Sequence, residues 1–210
     1  MPVQLRYQSG HTSEDYVTQQ AWRSASLSCC PLHSKGRCGF SRHGSYPRVD
    51  PPGTRIARWY CPQGHCTFSL LPEHLAARFP GTLAGIEAVV AAVERAPSVE
   101  AAADALRADD VTLATALRWV RRRVRLVHDA LRAAVSLLPE LLLGCAPTVW
   151  AVRTHLACEP SVLLRLRALA AAHLQGLPRP LGLRAPVHRG GGRTERLQQH
   201  LGPDPPRRSR

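Results

Sequence analysis

Five of the seven cysteines fall between Cys29 and Cys66, in a stretch that is also rich in glycine, proline and histidine. A short stretch with so many turn residues buries little apolar surface, so its fold needs another source of stability. Cysteines clustered at short spacings are typical of metal-binding sites. The cluster therefore predicts a small metal-bound domain near the N-terminus.

The compartment expected for the chain favours metal ligands over disulfides. Residues 1–28 have no apolar core of the kind found in signal peptides. The longest apolar stretch, residues 141–152, is shorter than the roughly 20 residues of a membrane-spanning helix. We therefore expect a cytoplasmic protein without membrane contact, in which the cysteines are thiols or metal ligands.

The potential ligands form two closely spaced groups. Cys30-x2-His33 has Cys38 close behind it, and Cys61 is followed by a second set of ligand-type residues. Zn²⁺ requires four nitrogen or sulfur ligands in a tetrahedron, which two such groups provide when a hairpin brings them together. The first-choice ligands are Cys30, His33, Cys61 and His65, with Cys66 and Cys38 as substitutes. The alternative is a decayed site held by packing alone.

Short β-type runs separate the two ligand groups. Residues 45–49 and 55–60 predict two strands, joined by a turn at residues 50–54 that contains two prolines and a glycine. A third strand is expected at residues 67–70. Together they predict a zinc-ribbon-like β-hairpin domain over residues 29–72.

The chain becomes helical from residue 80. One helix is expected over residues 82–95, and a second over residues 99–107 with Ser98 as its N-cap. After a turn at residues 108–111, a long basic helix is expected over residues 112–138. Residues 80–138 therefore predict a helix-turn-helix followed by a long helix.

The remaining segments complete the predicted organisation. Two weaker accessory helices, at residues 148–157 and 161–174, lie in an accessory region over residues 145–175. Residues 1–28 are expected to form a flexible lead-in and residues 176–210 a disordered basic tail. The predicted fold class is mainly α with a small N-terminal β zinc ribbon.

The long helix carries an apolar stripe at spacings of three and four residues. Such a stripe must be buried, and the default interpretation is packing within the chain's own core. Because the stripe exceeds three heptads, its C-terminal half could instead pair with a second copy as a homodimer. The stripe consists of Leu113, Leu117, Val120, Val124, Val127, Leu131, Val135 and Leu138.

The net charge of +13 is the strongest global signal, and Lys35 is the only lysine among the basic residues. A chain this basic usually meets a polyanion, most often nucleic acid. A recognition helix packs one apolar face on its scaffold and presents a basic face to the major groove. The candidate DNA-binding residues, expected to contact mostly phosphates, are Arg118, Arg121, Arg122, Arg123 and Arg125.

These motifs resemble the N-terminal zinc ribbon of insertion-sequence transposases and of their short stand-alone bacterial relatives. The resemblance is carried by Cys30-x2-His33, by residues 42–48 and 55–61, and by residues 67–72. In that family, Cys-x2-Cys knuckles flank a hairpin with an arginine, glycine, tyrosine, arginine pattern. Threonine-phenylalanine-serine follows the last knuckle, and a helix-turn-helix then binds the DNA ends of the element.

The resemblance covers roughly residues 29–135 and has two departures. His33 replaces the second cysteine, and Gly64 occupies the usual position of the fourth ligand. The resemblance implies a transposase-like protein that binds double-stranded DNA and Zn²⁺, has a role in transposition or transcription, and is associated with the nucleoid.

No catalytic half follows. A transposase holds two metal ions with three carboxylates on a mixed sheet. The acidic residues after Val111 are instead scattered over predicted helices and tail: Asp129, Glu140, Glu159, Glu195 and Asp204. We therefore predict a protein that is not an enzyme.

Three alternatives stay open at this point. The same charge and ribbon would suit an RNA-binding or ribosome-associated protein. A helical interaction protein could dimerise through its long helix, with its arginine content reflecting coding bias alone. The chain could also be an inactive transposon remnant.

Overall fold

The computed structural model describes residues 2–157 and 161–184, which form a mixed α/β structure. Their elements are β1 Val3–Tyr7, α1 Ser13–Thr18, β2 Ser41–Pro47, β3 Arg55–Cys61, β4 Cys66–Pro72, α2 Leu83–Arg95, α3 Val99–Leu106, α4 Leu113–Leu137, α5 Pro139–Leu142, α6 Val149–Leu156 and α7 Val162–Leu169, followed by a 3₁₀ turn at Ala171–His173. The prediction of a mainly α chain underestimates the sheet, although the described residues after residue 80 are mainly helical.

The four strands form one sheet in the order β1-β4-β3-β2. Strands β2, β3 and β4 are antiparallel neighbours and confirm the three predicted strands: β3 and β4 are slightly longer than predicted, whereas β2 begins four residues earlier and ends two residues earlier. Strand β1 is parallel to β4, with Val3 opposite Phe68. It lies in the predicted flexible lead-in, so that prediction is wrong for these residues.

Helix α1 and the segment after it cover one face of the sheet. Thr12 caps α1, since its hydroxyl accepts a hydrogen bond from the Asp15 backbone N–H at 3.1 Å. Tyr16 is fully buried, and its hydroxyl donates to the Arg55 carbonyl of β3. Tyr16 and Trp22 pack with Leu70 of β4 in a small core of their own. The lead-in is therefore a packed part of the sheet layer.

The predicted helices are confirmed, and so is Ser98 as the N-cap of α3. In each case a serine or threonine hydroxyl accepts a hydrogen bond from the backbone N–H three residues ahead, which satisfies a donor that the helix leaves unpaired. These N-caps are Thr82, Ser98, Thr112, Thr148 and Ser161. Four of the five helices begin and end within one residue of the predicted bounds, whereas α7 ends at Leu169, five residues before its predicted end.

The apolar stripe of α4 is buried inside the chain in its C-terminal half. Val127 and Leu131 have no exposed surface and belong to the main core, against which Val135 and Leu138 also pack. This confirms the core-packing interpretation. Of the residues through which the predicted homodimer would form, Val127 and Leu131 are thus unavailable to a partner, whereas Val135 and Leu138 remain partly exposed.

One hydrophobic core joins the sheet to the helices. Ile56 of β3 and Leu71 of β4 pack with buried residues of α2, α4, α6 and α7. Leu177, Leu181 and Leu183 are buried in the same core. The predicted boundary at residue 176 is therefore wrong, because the segment up to residue 184 is packed. The rest of the predicted basic tail, residues 185–210, lies outside the described residues.

Two buried charged side chains tie distant segments together. Arg167 is 1% exposed and donates hydrogen bonds to the backbone carbonyls of Glu73, Leu75, Pro180 and Leu181. Its burial lowers the pKa of its guanidinium to about 9.

The second is Glu87 of α2, which lies at the N-terminus of α7. It accepts hydrogen bonds from the Ser161 hydroxyl and from the backbone N–H groups of Val162 and Leu163, all between 2.6 and 3.0 Å. Two helical turns further along α2, the carboxylate of Glu94 accepts hydrogen bonds from the backbone N–H groups of Val149 and Trp150. Helix α2 thus supplies carboxylates to two helix N-termini, where the helix dipole favours negative charge.

In the part of the chain that the structure describes, no helix is both long enough and apolar enough to cross a membrane.

A half-buried histidine makes the fold sensitive to acid. The ring nitrogens of His74 are buried and have no hydrogen-bond partner among the described residues. Burial, followed by the charges of Arg48 and Arg167 and by His11, lowers the pKa of His74 from 6.5 to about 4. As the pH falls, His74 is protonated in the unfolded chain near pH 6.5 but in the folded chain only near pH 4. The free energy of unfolding should therefore keep its full value above pH 6.5 and fall as the pH drops from 6.5 towards 4.

We expect this histidine alone to remove about 2 kcal/mol of unfolding free energy over that range, after discounting for partial exposure of the ring. His74→Phe, which keeps an aromatic ring against Tyr16, should lack that loss. Urea unfolding of both proteins between pH 4 and 7 measures the difference. Acid release of a bound metal affects both equally, so parallel curves would contradict the prediction.

Candidate metal centre and arginine face

Four side chains from the two predicted ligand groups come together beside the sheet. The ligand atoms of Cys30, His33, Cys38 and Cys61 all lie within 4.8 Å of one another. The three cysteines are buried and His33 is partly exposed. The described cysteines are all free thiols. These four residues could hold a metal ion.

The first group is shaped by a tight turn and a returning loop. Cys30 and His33 form an isolated β-bridge, with the His33 N–H donating to the Cys30 carbonyl at 3.2 Å. Gly36 and Arg37 both have positive φ, and they reverse the chain so that Cys38 returns beside Cys30. The sequence thus places three ligands on one compact loop.

The second group provides only Cys61. It is the last residue of β3 and pairs with Cys66 at the start of β4. The backbone N–H of Gly64 in the connecting turn donates to the Cys61 sulfur at 3.3 Å. A Cβ on Gly64, at the position where the resembling family has its fourth ligand, would lie 2.6 Å from a methyl carbon of Leu32, so a side chain there would require the Leu32 side chain to move.

The distances between ligand atoms fit a tetrahedral ion. The His33 Nδ1 atom lies 3.6 Å from the Cys30 sulfur and 3.3 Å from the Cys61 sulfur. Zn–S and Zn–N bonds at tetrahedral angles would separate sulfur and nitrogen by about 3.6 Å. Three cysteines and one histidine are a donor set of structural zinc sites. The residues present therefore fit Zn²⁺ with little rearrangement.

The pKa values of the Cys30 and Cys61 thiols are shifted by burial and by the other members of the cluster. Burial opposes ionisation of Cys30, but hydrogen bonds from the Leu32 backbone and the His33 side chain outweigh it and lower its pKa to about 7. Burial and the neighbouring thiols Cys30 and Cys38 raise the pKa of Cys61. A cation would hold both as thiolates, because metal binding displaces the protons.

His65 and Cys66 lie outside this cluster, which corrects the first-choice ligand set. His65 has a left-handed φ of 44°, and its Nδ1 atom lies 3.5 Å from the Tyr60 hydroxyl. The Cys66 sulfur lies 3.9 Å from the Thr67 carbonyl oxygen. Cys38, expected only as a substitute, is the fourth member.

Apolar packing encloses the cluster from the sheet side. Val3 of β1 and Phe68 of β4 are buried against the three cysteines. The ring of Phe40 stacks on Trp59 with centroids 5.2 Å apart. The sequence gave no reason to link Val3 to the site, because its contact depends on the parallel pairing of β1 with β4.

Helices α3 and α4, which carry the predicted helix-turn-helix, pack against each other and against α2. Small residues form their contact, with Ala103 of α3 and Ala116 and Val120 of α4 buried together against Val89 of α2. Arg121 of α4 also forms an ion pair with Glu100 of α3 at 2.9 Å. Helix α4 therefore rests on α2 and α3 and exposes its opposite side.

Four of the five predicted DNA-binding arginines are exposed on α4, namely Arg118, Arg121, Arg122 and Arg125. Arg123 differs, because its guanidinium carbon lies 3.7 Å from the Trp119 ring centroid and 5.4 Å from that of Phe79. Partial burial lowers its pKa. We call the four exposed residues the arginine face. Arg123 is a packing residue beside it.

Comparison with protein-family models, with curated proteins and with solved structures gives no match. The resemblance to insertion-sequence transposases thus rests on the motifs themselves.

Proposed function

We propose that this chain is a non-catalytic DNA-binding protein of transposon-associated or regulatory type, in which Zn²⁺ stabilises the sheet and α4 contacts DNA. The observation that carries the proposal is the arginine face, which lies on the solvent side of a helix supported by α2 and α3. A recognition helix requires this division between a packed face and a basic face.

The charge distribution supports a polyanionic partner. Arg118 and Arg122 are one helical turn apart, and no carboxylate among the described residues forms an ion pair with either. Arg118 donates only to the neighbouring Thr115 hydroxyl at 3.3 Å. Both guanidinium groups can therefore bind phosphate or guanine without first breaking an ion pair.

A structural role for the metal follows from the donor set. Four protein ligands complete a tetrahedral zinc site and leave no position for water or substrate. In this proposal the ion holds β3 against the loop that carries Cys30 and Cys38. It thereby stabilises the sheet on which the helices pack.

The test is a double charge reversal on the arginine face. Arg118→Glu/Arg122→Glu should weaken binding to a random 20-base-pair duplex at least a hundredfold in low salt, because two attractive phosphate contacts become repulsive. The matched control is Arg95→Glu/Arg165→Glu, which changes the net charge equally at exposed positions on α2 and α7. Fluorescence anisotropy over a salt series measures both.

Each result separates the alternatives. Equal losses in the two double variants would contradict a specific role for α4. Tighter binding to an RNA duplex of the same sequence would favour the RNA-binding alternative. A wild-type protein that carries zinc but binds no duplex at low salt would overturn the proposal.

A further inference from the structure

A basic cavity lies between α4 and the segment that follows α7. Its volume is about 560 Å³, and its charged lining consists of Arg121, Arg122 and Arg125 from α4, Asp129 from the same helix, and Arg179. Arg179 is separated from the α4 arginines by more than fifty positions in the sequence. Only the packing of the C-terminal segment brings it to the same cavity.

The cavity has an excess of positive charge. The one carboxylate in its lining, Asp129, is engaged by Arg132 and lies 4.0 Å from Arg125. Arg122 lies over the Phe79 ring at 5.2 Å and has no carboxylate partner among the described residues. Guanidinium groups gathered in one concavity repel one another, so an anion placed between them would be stabilised.

Arg179 projects from a firmly held backbone. The residue after it, Pro180, accepts hydrogen bonds at its carbonyl from the Ala77 N–H at 2.8 Å and from the buried Arg167 at 2.6 Å. On either side, Leu177 and Leu181 are buried in the main core. The fold therefore fixes the position of Arg179 relative to α4.

We propose that this cavity binds a phosphate of the DNA backbone, and that Arg179 is a DNA-contacting residue outside the helix-turn-helix. The proposal rests on the proposed function. It extends the contact surface from α4 to the segment of residues 177–184. Arginine recognises phosphate by paired N–H donors, and phosphate contacts fix the position of a protein on a duplex without reading its sequence.

The test compares three single variants of the full chain loaded with zinc. Arg179→Ala should reduce the slope of log K against log salt by about 0.9, the contribution of one phosphate contact. Over a fourfold increase in salt, the variant should then lose about 3.5-fold less affinity than the wild type. Arg179→Lys, which keeps the charge, should restore most of the slope. Arg165→Ala, exposed on α7, is the control.

The outcomes distinguish this proposal from the one on which it rests. A wild type that does not bind duplex DNA overturns both. If the wild type binds duplex DNA and Arg179→Ala has the same salt slope as the wild type, only the proposal of a phosphate site in the cavity is overturned. Equal effects of Arg179→Ala and Arg165→Ala would also overturn it, because the loss would then reflect net charge. The thermal unfolding midpoint should be the same in all variants, which would show that a reduced salt slope does not result from unfolding.

Discussion

Cys38→Ser should abolish stoichiometric zinc binding and unfold the sheet layer. Cys38 is buried within 4.8 Å of the other three ligand atoms, and a serine hydroxyl is a poor replacement for a thiolate on Zn²⁺. Structural zinc sites supply on the order of 10 kcal/mol of folding free energy, more than a small domain has in reserve. Metal analysis after gel filtration and near-ultraviolet circular dichroism of the tryptophans measure the two effects.

Cys66→Ser is the matched control, since Cys66 starts β4 opposite Cys61 but lies outside the cluster. It should keep about one zinc per chain, as four other protein ligands complete the site. The opposite result, with zinc lost in Cys66→Ser and retained in Cys38→Ser, would show that the loop of residues 36–39 rearranges around the ion and that the ligand set is wrong.

Glu87→Ala should destabilise the folded chain by about 3–5 kcal/mol, the usual cost of removing one partner from a buried charged network. Glu87 is 2% exposed, and it accepts hydrogen bonds from Arg153, from the Ser161 hydroxyl and from two N–H groups at the start of α7. Alanine would leave the buried Ser161 hydroxyl and the two buried N–H groups without this acceptor. Denaturant unfolding of the zinc-loaded protein measures the change.

Two further variants keep this test informative. Glu87→Gln retains one carbonyl acceptor and should lose less, so it remains measurable if the alanine variant does not fold. Glu100→Ala removes an exposed ion pair with Arg121 and should change stability by less than about 1 kcal/mol. Equal effects of Glu87→Ala and Glu100→Ala would mean that the buried network contributes no more than a surface pair.

The helices were predictable because their signals are local. Each N-cap lies within three residues of the N–H that it accepts from, and an amphipathic stripe can be read within a single helix. Helix α1 carries the same type of signal, with Thr12 bonding both the N–H and the carboxylate of Asp15, but its six residues are too few for a periodic pattern. Short elements escape detection when periodicity is the main criterion.

Strand β1 was missed for a different reason. Val3, Leu5 and Tyr7 alternate with polar residues, as expected of a half-buried strand. However, an alternating pattern of five residues does not by itself predict a strand, and this one forms a strand because it pairs with β4, more than sixty positions later. Pairing at that separation depends on tertiary packing and leaves no local signal.

Three of the four residues in the candidate metal cluster were among the first-choice ligands predicted from the sequence. The sequence identified both groups, but the choice between Cys38 and His65 depends on which way each loop turns. Leu32 occupies the space beside Gly64, and the left-handed backbone of His65 places its ring beside Tyr60. Neither effect appears in ligand spacing. Arg123 differs from Arg122, which also lies over the Phe79 ring, because its guanidinium group stacks on Trp119.

A contact between the two ends of the described chain can form only late in synthesis, after the rest of the fold. The N–H of Gln4 in β1 donates to the carbonyl of Arg184 at 3.1 Å. Until that segment leaves the ribosome, the outer edge of β1 stays uncovered, and open strand edges invite pairing with other chains. Contacts that span almost the whole sequence also slow folding. A metal ion bound early by the cluster of Cys30, His33, Cys38 and Cys61 would hold the nascent sheet in register during this interval, so the supply of the proposed zinc would affect yield as well as stability.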